Sequence, residues 1–390
     1  MQPHHREDLL ESVVKVLRRK FAGAGAVFAL LVSSMAPAQA NLIPKTFIAL
    51  ANSPLLAKPG IIVIDPATDQ TLFANQPDTL RAPASVLKLV SMATALHNLG
   101  GETVFHTGMF TTNKNDTYLL IGESDPWLTA SAFEAKKYHR AFSPSLINAL
   151  LAAHPGQRTF SIDYAGVYGK DISIIKRYFS GRATLNFHLL PSVAVAKKEA
   201  DIKLAGIASP TLNEIVQFTL LWSDNVLADR LARLASRSLG FAGDAQGIQA
   251  AFEETLAYLG VETTGLDVKD GNGLSKENKI SVRTIAQLLL HIKDDPEFKV
   301  IYEGLPVAGI SGTLKSRFVT DSPNAVGLVR AKTGWINGTV SLAGFVTVGD
   351  SQYVFTVIAD HVKQTEYSRQ LARETIDKML GTIARPALSQ

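Results

Sequence analysis

Ser85 and Lys88 form a pair whose residue types and spacing could support covalent catalysis. Side chains three positions apart lie on the same face of a helix, so the hydroxyl and the amine could form a hydrogen bond. Serine is a strong nucleophile only when a base accepts its proton, and lysine is that base only if burial or a nearby cation lowers its pKa. The spacing alone is a weak signal, because Ser12 and Lys15 repeat it near the N-terminus.

Two short polar motifs further along the chain add groups that acyl transfer would need. Ser223-Asp224-Asn225 lies between two apolar helical stretches, and the same residues would also suit a helix cap or a polar turn. Lys332-Thr333-Gly334 precedes a strand-rich tail, where a cation and a hydroxyl could face a carboxylate. Gly334 would let a substrate backbone approach closely, although the motif read alone could be a charged entry to a strand.

The elements that must position these residues can be read from the apolar pattern. Ile61 to Asp65 and Thr71 to Ala74 are typical of two strands joined by a turn, which predicts an antiparallel hairpin. Ser85 to Leu99 is apolar on nearly every side, which predicts a buried helix that begins at the serine. Beyond these, the sequence predicts helices over 210–239 with a break near Ser223, 250–258, 282–292 and 364–380, and strands over 340–348 and 353–359.

The segment 102–205 has a different character from its flanks. Short strand-like runs at 118–121 and 159–162 alternate with turn residues, and one helix is predicted over 146–153. Because the helical pattern resumes afterwards, we expect 102–205 to be an inserted domain. The flanking segments 41–101 and 206–390 would then form a single domain whose sheet uses both ends of the chain.

Composition sets limits on the class of protein. The chain has 390 residues, of which 46% are hydrophobic and 19% charged, so a folded, non-disordered protein is expected. A net charge of +4 is too balanced to indicate a nucleic-acid-binding protein. The absence of cysteine excludes disulfides, thiolate catalysis and cysteine-based zinc sites, and we expect no metal and no cofactor.

Residues 1–40 are typical of a secretory signal peptide. Arg18-Arg19-Lys20 is followed by an apolar run from Phe21 to Met35 and then by Ala38-Gln39-Ala40, where we expect cleavage. The alternative is a membrane anchor that stays attached, but the apolar run is short for a spanning helix. The sequence therefore predicts a periplasmic or otherwise extracytoplasmic protein with no stable membrane span after cleavage.

The three motifs occur in the order Ser-x-x-Lys, Ser-Asp-Asn and Lys-Thr-Gly, as they do in penicillin-binding proteins and class A β-lactamases. Longer phrases narrow the resemblance, and from about residue 58 to 380 the chain resembles the type-4 penicillin-binding proteins. It departs from them in a much shorter segment between Lys88 and Ser223, and in Trp335, where a small polar residue is usual. The phrases are Pro83-Ala84-Ser85, Ser223 to Ala228, Asp270 to Ser275, Leu305 to Gly309, Gly312 to Leu314, Arg330 to Gly334 and, imperfectly, Asp125 to Leu128.

This resemblance implies a fold and an activity. The fold would be α+β, of the penicillin-binding/β-lactamase-like transpeptidase type, with an antiparallel sheet flanked by helices and a small inserted β-rich domain. The activity would be that of a serine D-alanyl-D-alanine carboxypeptidase, extended in some members to endopeptidase cleavage. The ligands would be peptidoglycan stem peptides and β-lactam antibiotics.

The resemblance also implies a role for each candidate site residue. Ser85 would attack the carbonyl between two D-alanines, Lys88 would take its proton, and Ser223 would pass a proton to the leaving amine. Asp163, in the insertion, would contact the amino end of the substrate side chain, although the sequence fits a surface loop aspartate equally well. Asn225 would hold the substrate amide, and Lys332 and Thr333 would bind the terminal carboxylate. Gly334 would allow the substrate backbone to approach closely. The backbone N–H groups of Ser85 and Trp335 would bind the oxyanion.

Two other functions fit parts of the pattern. A β-lactamase or an esterase of the same fold would keep the three motifs, but the Glu-x-x-Asn phrase of class A β-lactamases does not occur between Ser85 and Lys332. A non-catalytic cell-wall binding protein would keep the fold, and the short insertion and Trp335 favour it mildly. The intact Ser85, Lys88 and Lys332 favour an enzyme.

Overall fold

The structure, a computed structural model, describes residues 43–387, so the predicted signal peptide lies outside it. No helix in this described part of the chain is long and apolar enough to cross a bilayer. Its α-helices are α1 (Lys45–Ala51), α2 (Lys88–Leu99), α3 (Ala132–Tyr138), α4 (Pro144–Ala153), α5 (Gly169–Phe179), α6 (Val193–Glu199), α7 (Leu212–Trp222), α8 (Asn225–Ser238), α9 (Ala245–Tyr258), α10 (Val282–Ile292), α11 (Lys299–Gly304) and α12 (Glu366–Gly381). Its strands are β1 (Gly60–Asp65), β2 (Gln70–Asn75), β3 (Val104–Thr112), β4 (Thr117–Gly122), β5 (Thr159–Ala165), β6 (Thr184–Leu189), β7 (Ala200–Thr211), β8 (Val329–Ile336), β9 (Thr339–Val348) and β10 (Ser351–Ala359).

The first sheet is antiparallel and joins the two ends of the described chain. Its strand order is β2-β1-β10-β9-β8, and the predicted hairpin is present as β1 and β2. Ile62 and Ile64 of β1 pack with helices α2 and α7 to α11, while Ile61 and Val63 pack on the opposite face with α1 and α12. A strand covered on both faces needs an unbroken apolar run, which explains why residues 61–64 do not alternate with polar ones.

The helix predicted over Ser85–Leu99 begins differently from the prediction. Ala84–Leu87 form a 3-10 helix, and the α-helix starts only at Lys88. A 3-10 helix has three residues per turn, so side chains at positions i and i+3 eclipse each other. Ser85 and Lys88 are therefore aligned more directly than an α-helix would align them. Every residue of α2 from Lys88 to Leu96 is buried, as its all-round apolar pattern predicts.

A buried ion pair anchors the segment that leads into Ser85. Arg81, only 2% exposed, donates a 2.6 Å hydrogen bond to Asp360, which follows β10. The second oxygen of Asp360 accepts the N–H of Ala82 at 3.2 Å, and the backbone of Arg81 exchanges two hydrogen bonds with Ile280. Removing one partner of a buried ion pair typically costs about 3–5 kcal/mol. The approach to Ser85 is thus fixed to the centre of the sheet.

Strand β8 lies at the edge of the first sheet and is only partly covered. The N–H of Ala308 donates to the carbonyl of Val329, and the N–H of Ala331 donates to the carbonyl of Pro306. These bonds cover the first half of the outer side of β8. Within residues 43–387, no strand pairs with the outer side of residues 332–335.

A second five-stranded sheet lies between residues 104 and 211, in the order β6-β5-β4-β3-β7. It is mixed, since β3 is antiparallel to β4 and β7 while β5 is parallel to β4 and β6. Four helices, α3 to α6, accompany it, where the sequence predicted one. Helices α3 and α6 have seven residues each, too few for helical periodicity to be read from sequence.

The expected division of the chain into a catalytic and an inserted domain remains a prediction. Its second boundary, at 205/206, falls inside β7, which continues to Thr211. The helix predicted from Pro210 therefore starts later, at Leu212, where Thr211 and Glu214 form a capping box. Two sheets with separate sets of helices give the α+β architecture that was expected.

Candidate active site

Lys88 is fully buried, and its amine is held by three acceptors. Nζ lies 2.8 Å from Ser85 Oγ, 2.7 Å from Asn225 Oδ1 and 2.6 Å from the carbonyl oxygen of Asn272. Ser85 is 8% exposed, so its hydroxyl faces the amine and keeps a small opening to solvent. A nucleophile and a base within hydrogen-bond reach, with the base oriented by further groups, is the arrangement that covalent catalysis requires.

The surroundings of Lys88 prepare its amine to act as a base. Burial lowers the pKa of Lys88 to about 7, because desolvation disfavours the charged form. The carboxylates of Asp224 and Asp270 oppose this shift and raise the pKa. An amine with a pKa near 7 is neutral in a large fraction of molecules at neutral pH, and proton transfer is most efficient when the pKa of the base lies near the operating pH.

The Ser-Asp-Asn motif forms the joint between α7 and α8. Ser223 ends α7 in the left-handed conformation, with φ 57° and ψ 40°. Asp224 caps α8 by accepting the N–H groups of Val226 and Leu227 at 2.8 and 2.9 Å. The helix-cap interpretation therefore holds for the aspartate. The cap fixes the turn, so that the residues on either side of it reach two different lysines.

Lys332 on β8 is the second buried lysine of the site. Its Nζ donates to Ser223 Oγ and to the carbonyl oxygen of Thr333, both at 2.8 Å. Burial, followed by the charge of Lys88, lowers the pKa of Lys332 well below its ordinary value. Two ammonium groups in one dry pocket repel each other, so the protonation of one lysine disfavours the protonation of the other.

Gly334 brings β8 against the turn that carries the nucleophile. A Cβ at this position would overlap Ser341 Oγ and would lie 3.1 Å from the backbone nitrogen of Ser85. The strand can approach the 3-10 helix only because residue 334 has no side chain. On the neighbouring residue, Thr333 Oγ1 lies 2.8 Å from Thr313 Oγ1, so two hydroxyls are paired at the same wall.

Trp335 stands at the rim of the site rather than inside it. Its side chain is 48% exposed, and the guanidinium carbons of Arg369 and Arg373 each lie 5.1 Å from its ring. Cations over an aromatic face are attracted by the ring. The ring thus lies against two arginines of α12.

A loop at residues 270–275 closes the site on the side of Lys88, and sequence reasoning gave it no role. The carboxylate of Asp270 accepts the N–H groups of Gly273 at 2.6 Å and Ser275 at 2.7 Å, which folds the loop and presents the Asn272 carbonyl to Lys88. Gly273 has φ +83°, and a Cβ there would overlap the carbonyl oxygen of Ala84. The Asp-Gly-Asn-Gly composition was the available signal, because it is turn chemistry.

Several of the groups described above line a cleft of about 290 Å³, and the buried amines of Lys88 and Lys332 reach it through their hydrogen bonds to Ser85 and Ser223. No carboxylate is among its described lining residues, whereas two arginines are, of which Arg373 is paired with Glu366 at 2.9 Å. Arg317, paired with Asp377 at 2.5 Å, and Arg373 come from segments that the sequence analysis did not connect with the site. The lining residues are Ser85, Ser223, Asn225, Leu274, Thr313, Arg317, Thr333, Gly334, Trp335 and Arg373.

Asp163 is the one candidate residue that the structure does not bring to the cleft. It lies on β5 of the second sheet, with its carboxylate 3.3 Å from Nδ1 of His188. Its suggested contact with the substrate remains a prediction without support from this geometry. Among residues 43–387, no group of three or more histidine, aspartate or glutamate side chains is placed to hold a metal ion.

Comparisons with known proteins agree with this geometry. The model of the D-Ala-D-Ala carboxypeptidase 3 (S13) family matches residues 48–140 and 192–383. The carboxypeptidase DacB of Mycolicibacterium smegmatis is 34% identical over 148 residues, which is 37% of this chain and 32% of that protein. The D-alanyl-D-alanine carboxypeptidase of an Actinomadura species is 32% identical over 160 residues, or 40% of this chain and 29% of that protein. The match spans about a third of the length of these curated relatives.

Solved structures share the fold at low sequence identity. Penicillin-binding protein 4 of Haemophilus influenzae, complexed with a β-lactam, superposes with a TM-score of 0.68 and 18% identity, covering 86% of this chain and 98% of that one. A predatory peptidoglycan endopeptidase of Bdellovibrio bacteriovorus gives 0.58 and 14%, covering 85% and 94%. The predicted α+β fold class and the resemblance to type-4 penicillin-binding proteins are confirmed.

Proposed function

The chain belongs to the D-Ala-D-Ala carboxypeptidase 3 (S13) family, and from that premise we propose that it is a serine D-alanyl-D-alanine carboxypeptidase. Its substrates would be the stem peptides of peptidoglycan, which lie outside the cytoplasm. The predicted signal peptide would export the protein to that side of the membrane. The observation that carries the proposal is the buried Lys88 amine, 2.8 Å from the hydroxyl of Ser85 and with its pKa lowered to about 7.

The first chemical step forms an ester between enzyme and peptide. Neutral Lys88 accepts the proton of Ser85 while Oγ attacks the carbonyl carbon of the bond between the two D-alanines. The N–H groups of Ser85 and Trp335 receive the oxyanion of the tetrahedral intermediate. As that intermediate collapses, the C–N bond breaks, the proton that Lys88 took from Ser85 passes through the Ser223 hydroxyl to the departing amine, and free D-alanine leaves while Lys88 becomes neutral again. Asn225 would hold the substrate amide during this step.

The wall around Thr333 would recognise the terminal carboxylate of the peptide. Thr333 and Thr313 supply hydroxyl donors, and Lys332 and Arg373 supply positive charge. An anion bound beside Lys332 raises the pKa of that lysine, because it stabilises the charged form. The proton acquired by Lys332 then makes protonation of Lys88 less favourable. Substrate binding would thus favour the neutral form of Lys88, which acts as the base.

The second step hydrolyses the ester. Water attacks the same carbonyl carbon, the returning neutral Lys88 accepts its proton, and Ser85 leaves with a proton to regenerate the enzyme. No carboxylate lines the described cleft that could activate water independently of this lysine. This favours a slow release of bound β-lactam over efficient β-lactamase activity.

Endopeptidase cleavage of cross-links is the second candidate activity. It needs room for a large leaving group where carboxypeptidase cleavage releases only D-alanine. Trp335, in contact with Arg369 and Arg373, lies at the rim, where a small polar residue is usual in the family. This observation favours the smaller leaving group and therefore carboxypeptidase activity.

One experiment separates these functions. The purified protein is incubated with a labelled penicillin, and separately with a peptide that ends in D-Ala-D-Ala. We expect a long-lived covalent label and release of D-alanine, both abolished in Ser85→Ala and both retained in Ser173→Ala, a change on the exposed side of α5. Rapid turnover of penicillin would instead identify a β-lactamase. Absence of both label and D-alanine release would refute an enzymatic function.

A further inference from the structure

Two exposed aromatic side chains and a half-buried one lie on a surface next to the turn that carries Ser223. Trp222, 51% exposed, is the residue before Ser223, and Phe133, 67% exposed, lies on α3. Tyr138, the half-buried ring, has its centroid 6.4 Å from that of Trp222. Lys137 places its Nζ 4.9 Å from the ring of Tyr138 and 5.3 Å from that of Phe133. We call this surface, Phe133, Tyr138 and Trp222 with Lys137, the aromatic ledge.

The aromatic ledge is supported from below by buried aromatic packing. Tyr138 packs edge-on against Phe218 at 5.2 Å, and Phe218 packs edge-on against Trp127 at 4.9 Å. Trp127 is only 5% exposed, so the stack is rooted in the core. Contiguous exposed apolar surface of this kind marks an interaction site in a soluble protein. Rings that are already fixed lose little conformational freedom when a ligand covers them.

We propose that the aromatic ledge binds the glycan strand of peptidoglycan, with the carbon–hydrogen faces of aminosugar rings stacked on Trp222 and Phe133. The flat, apolar face of a pyranose ring fits an exposed aromatic ring. The ammonium of Lys137 would face the carboxylates of the peptide that the sugar carries, so the charge of the ledge complements this ligand. The inference rests on the proposed function, because that function brings peptidoglycan to the neighbouring cleft.

The reach of the substrate supports this assignment. A pentapeptide stem cut at its last bond keeps four residues between the sugar and the scissile carbonyl. Four extended residues span at most about 14 Å. Trp222 is adjacent in sequence to Ser223, which lines the cleft, so the near end of the aromatic ledge falls within that reach. A sugar whose peptide is bound at Ser85 can therefore contact the ledge without leaving the cleft.

Aromatic side chains beside lysines also suit the surface of an anionic membrane. The position of the aromatic ledge favours the glycan, because a bilayer seated on Trp222 would cover the entrance that the substrate needs. Binding to a membrane is therefore the competing outcome of the test.

Direct binding to a sugar tests the proposal without any catalytic step. The protein is titrated with chitotetraose, a soluble oligomer of N-acetylglucosamine, by calorimetry. We expect binding in the unaltered protein and in Ser85→Ala, and affinity weakened about fivefold or more in Trp222→Ala and in Phe133→Ala, since stacking contributes most of the contact. Tyr367→Ala, which removes an exposed aromatic ring on α12, is the matched control and should bind normally. No binding, or equal affinity in all variants, would overturn the proposal.

A second measurement separates a glycan site from damage to the fold. Release of D-alanine is compared for a bare pentapeptide and for the same peptide attached to its disaccharide. In Phe133→Ala we expect kcat/KM to fall about fivefold for the glycan-linked substrate only. Equal losses on both substrates would contradict a sugar site, as would Phe133-dependent binding to phosphatidylglycerol vesicles without sugar binding. If the unaltered protein releases no D-alanine, the proposed function is wrong. Binding of chitotetraose would still test whether the aromatic ledge is a sugar site.

Discussion

Two serine–lysine pairs face the same cleft, and they differ in what surrounds the lysine. Lys88 with Ser85 and Lys332 with Ser223 have the same 2.8 Å separation, and both lysines are fully buried. Two carboxylates raise the pKa of Lys88 against the effect of burial, so that its value stays near 7. The pKa of Lys332 is lowered by burial and by the charge of Lys88, with no carboxylate among the causes. The same serine–lysine distance thus occurs in two different electrostatic environments.

The difference assigns complementary tasks to the two lysines. Asp224 and Asp270 raise the pKa of Lys88, whereas the charge of Lys88 lowers the pKa of Lys332. A ligand carboxylate would bind close to Lys332, where it would raise the pKa of that lysine. The charge acquired by Lys332 would then disfavour protonation of Lys88 and leave its amine free to act as the base.

Lys88→Met should cause the largest loss. The amine that accepts the Ser85 proton is removed and the volume is nearly kept, so acylation by labelled penicillin should slow by about 10³- to 10⁴-fold, the contribution of a general base. Stopped-flow acylation kinetics measure the effect. Lys299→Met, at a lysine that is 63% exposed, is the control and should acylate normally. A loss below tenfold would mean that another group takes the proton.

Lys332→Met should cause a smaller loss that depends on the substrate. Removing a charge aimed at the terminal carboxylate should lower kcat/KM for a D-Ala-D-Ala peptide by about 10²- to 10³-fold. For the same peptide with a C-terminal amide, the loss should be at least tenfold smaller, because that substrate has no anion to bind. Equal losses on both substrates would show that Lys332 acts on the chemistry at Ser223 rather than on the carboxylate.

Asp224→Asn should move the pH profile without abolishing activity. Asn is also a good helix cap, so the turn should persist. Because Asp224 raises the pKa of Lys88, its neutralisation lowers that pKa below about 7, and the acid limb of kcat/KM should shift to lower pH. Asp244→Asn, at the cap of α9, is the matched control and should leave the limb in place. A shift to higher pH would contradict the assignment of Lys88 as the base.

The sequence predicted the parts of this site that depend on local pattern. The all-round apolar run after Ser85 predicted a buried helix, and the order of three short motifs selected residues that the structure brings together around one cleft. The 3-10 start of that helix could not be read, because it depends on packing of Gly273 and Gly334 against residues 83–85. Local patterns say which residues are helical or buried but not how a distant loop reshapes a helix end.

The third acceptor of Lys88 shows more clearly which contacts cannot be predicted from sequence. Asn272 contributes a backbone carbonyl from 184 positions away, so neither its side-chain type nor its spacing points to Lys88. Arg317 and Arg373 reached the cleft unpredicted for the same reason: tertiary contacts bring them there. Conversely, Asp163 was singled out by resemblance, and the structure pairs it with His188 within the second sheet, away from the cleft.

The partial cover on β8 has a consequence for what can pair with this molecule. An uncovered strand edge is a template on which any extended chain can assemble, including a second copy of the same protein. Residues 306–308 occupy the first half of that template, and the open stretch at 332–335 is four residues long, about 13 Å. A short extended peptide, such as the proposed stem, would fit there as an added sixth strand. A longer strand would meet residues 306–308 and could not pair along the whole of β8, so the partial cover would also oppose edge-to-edge aggregation.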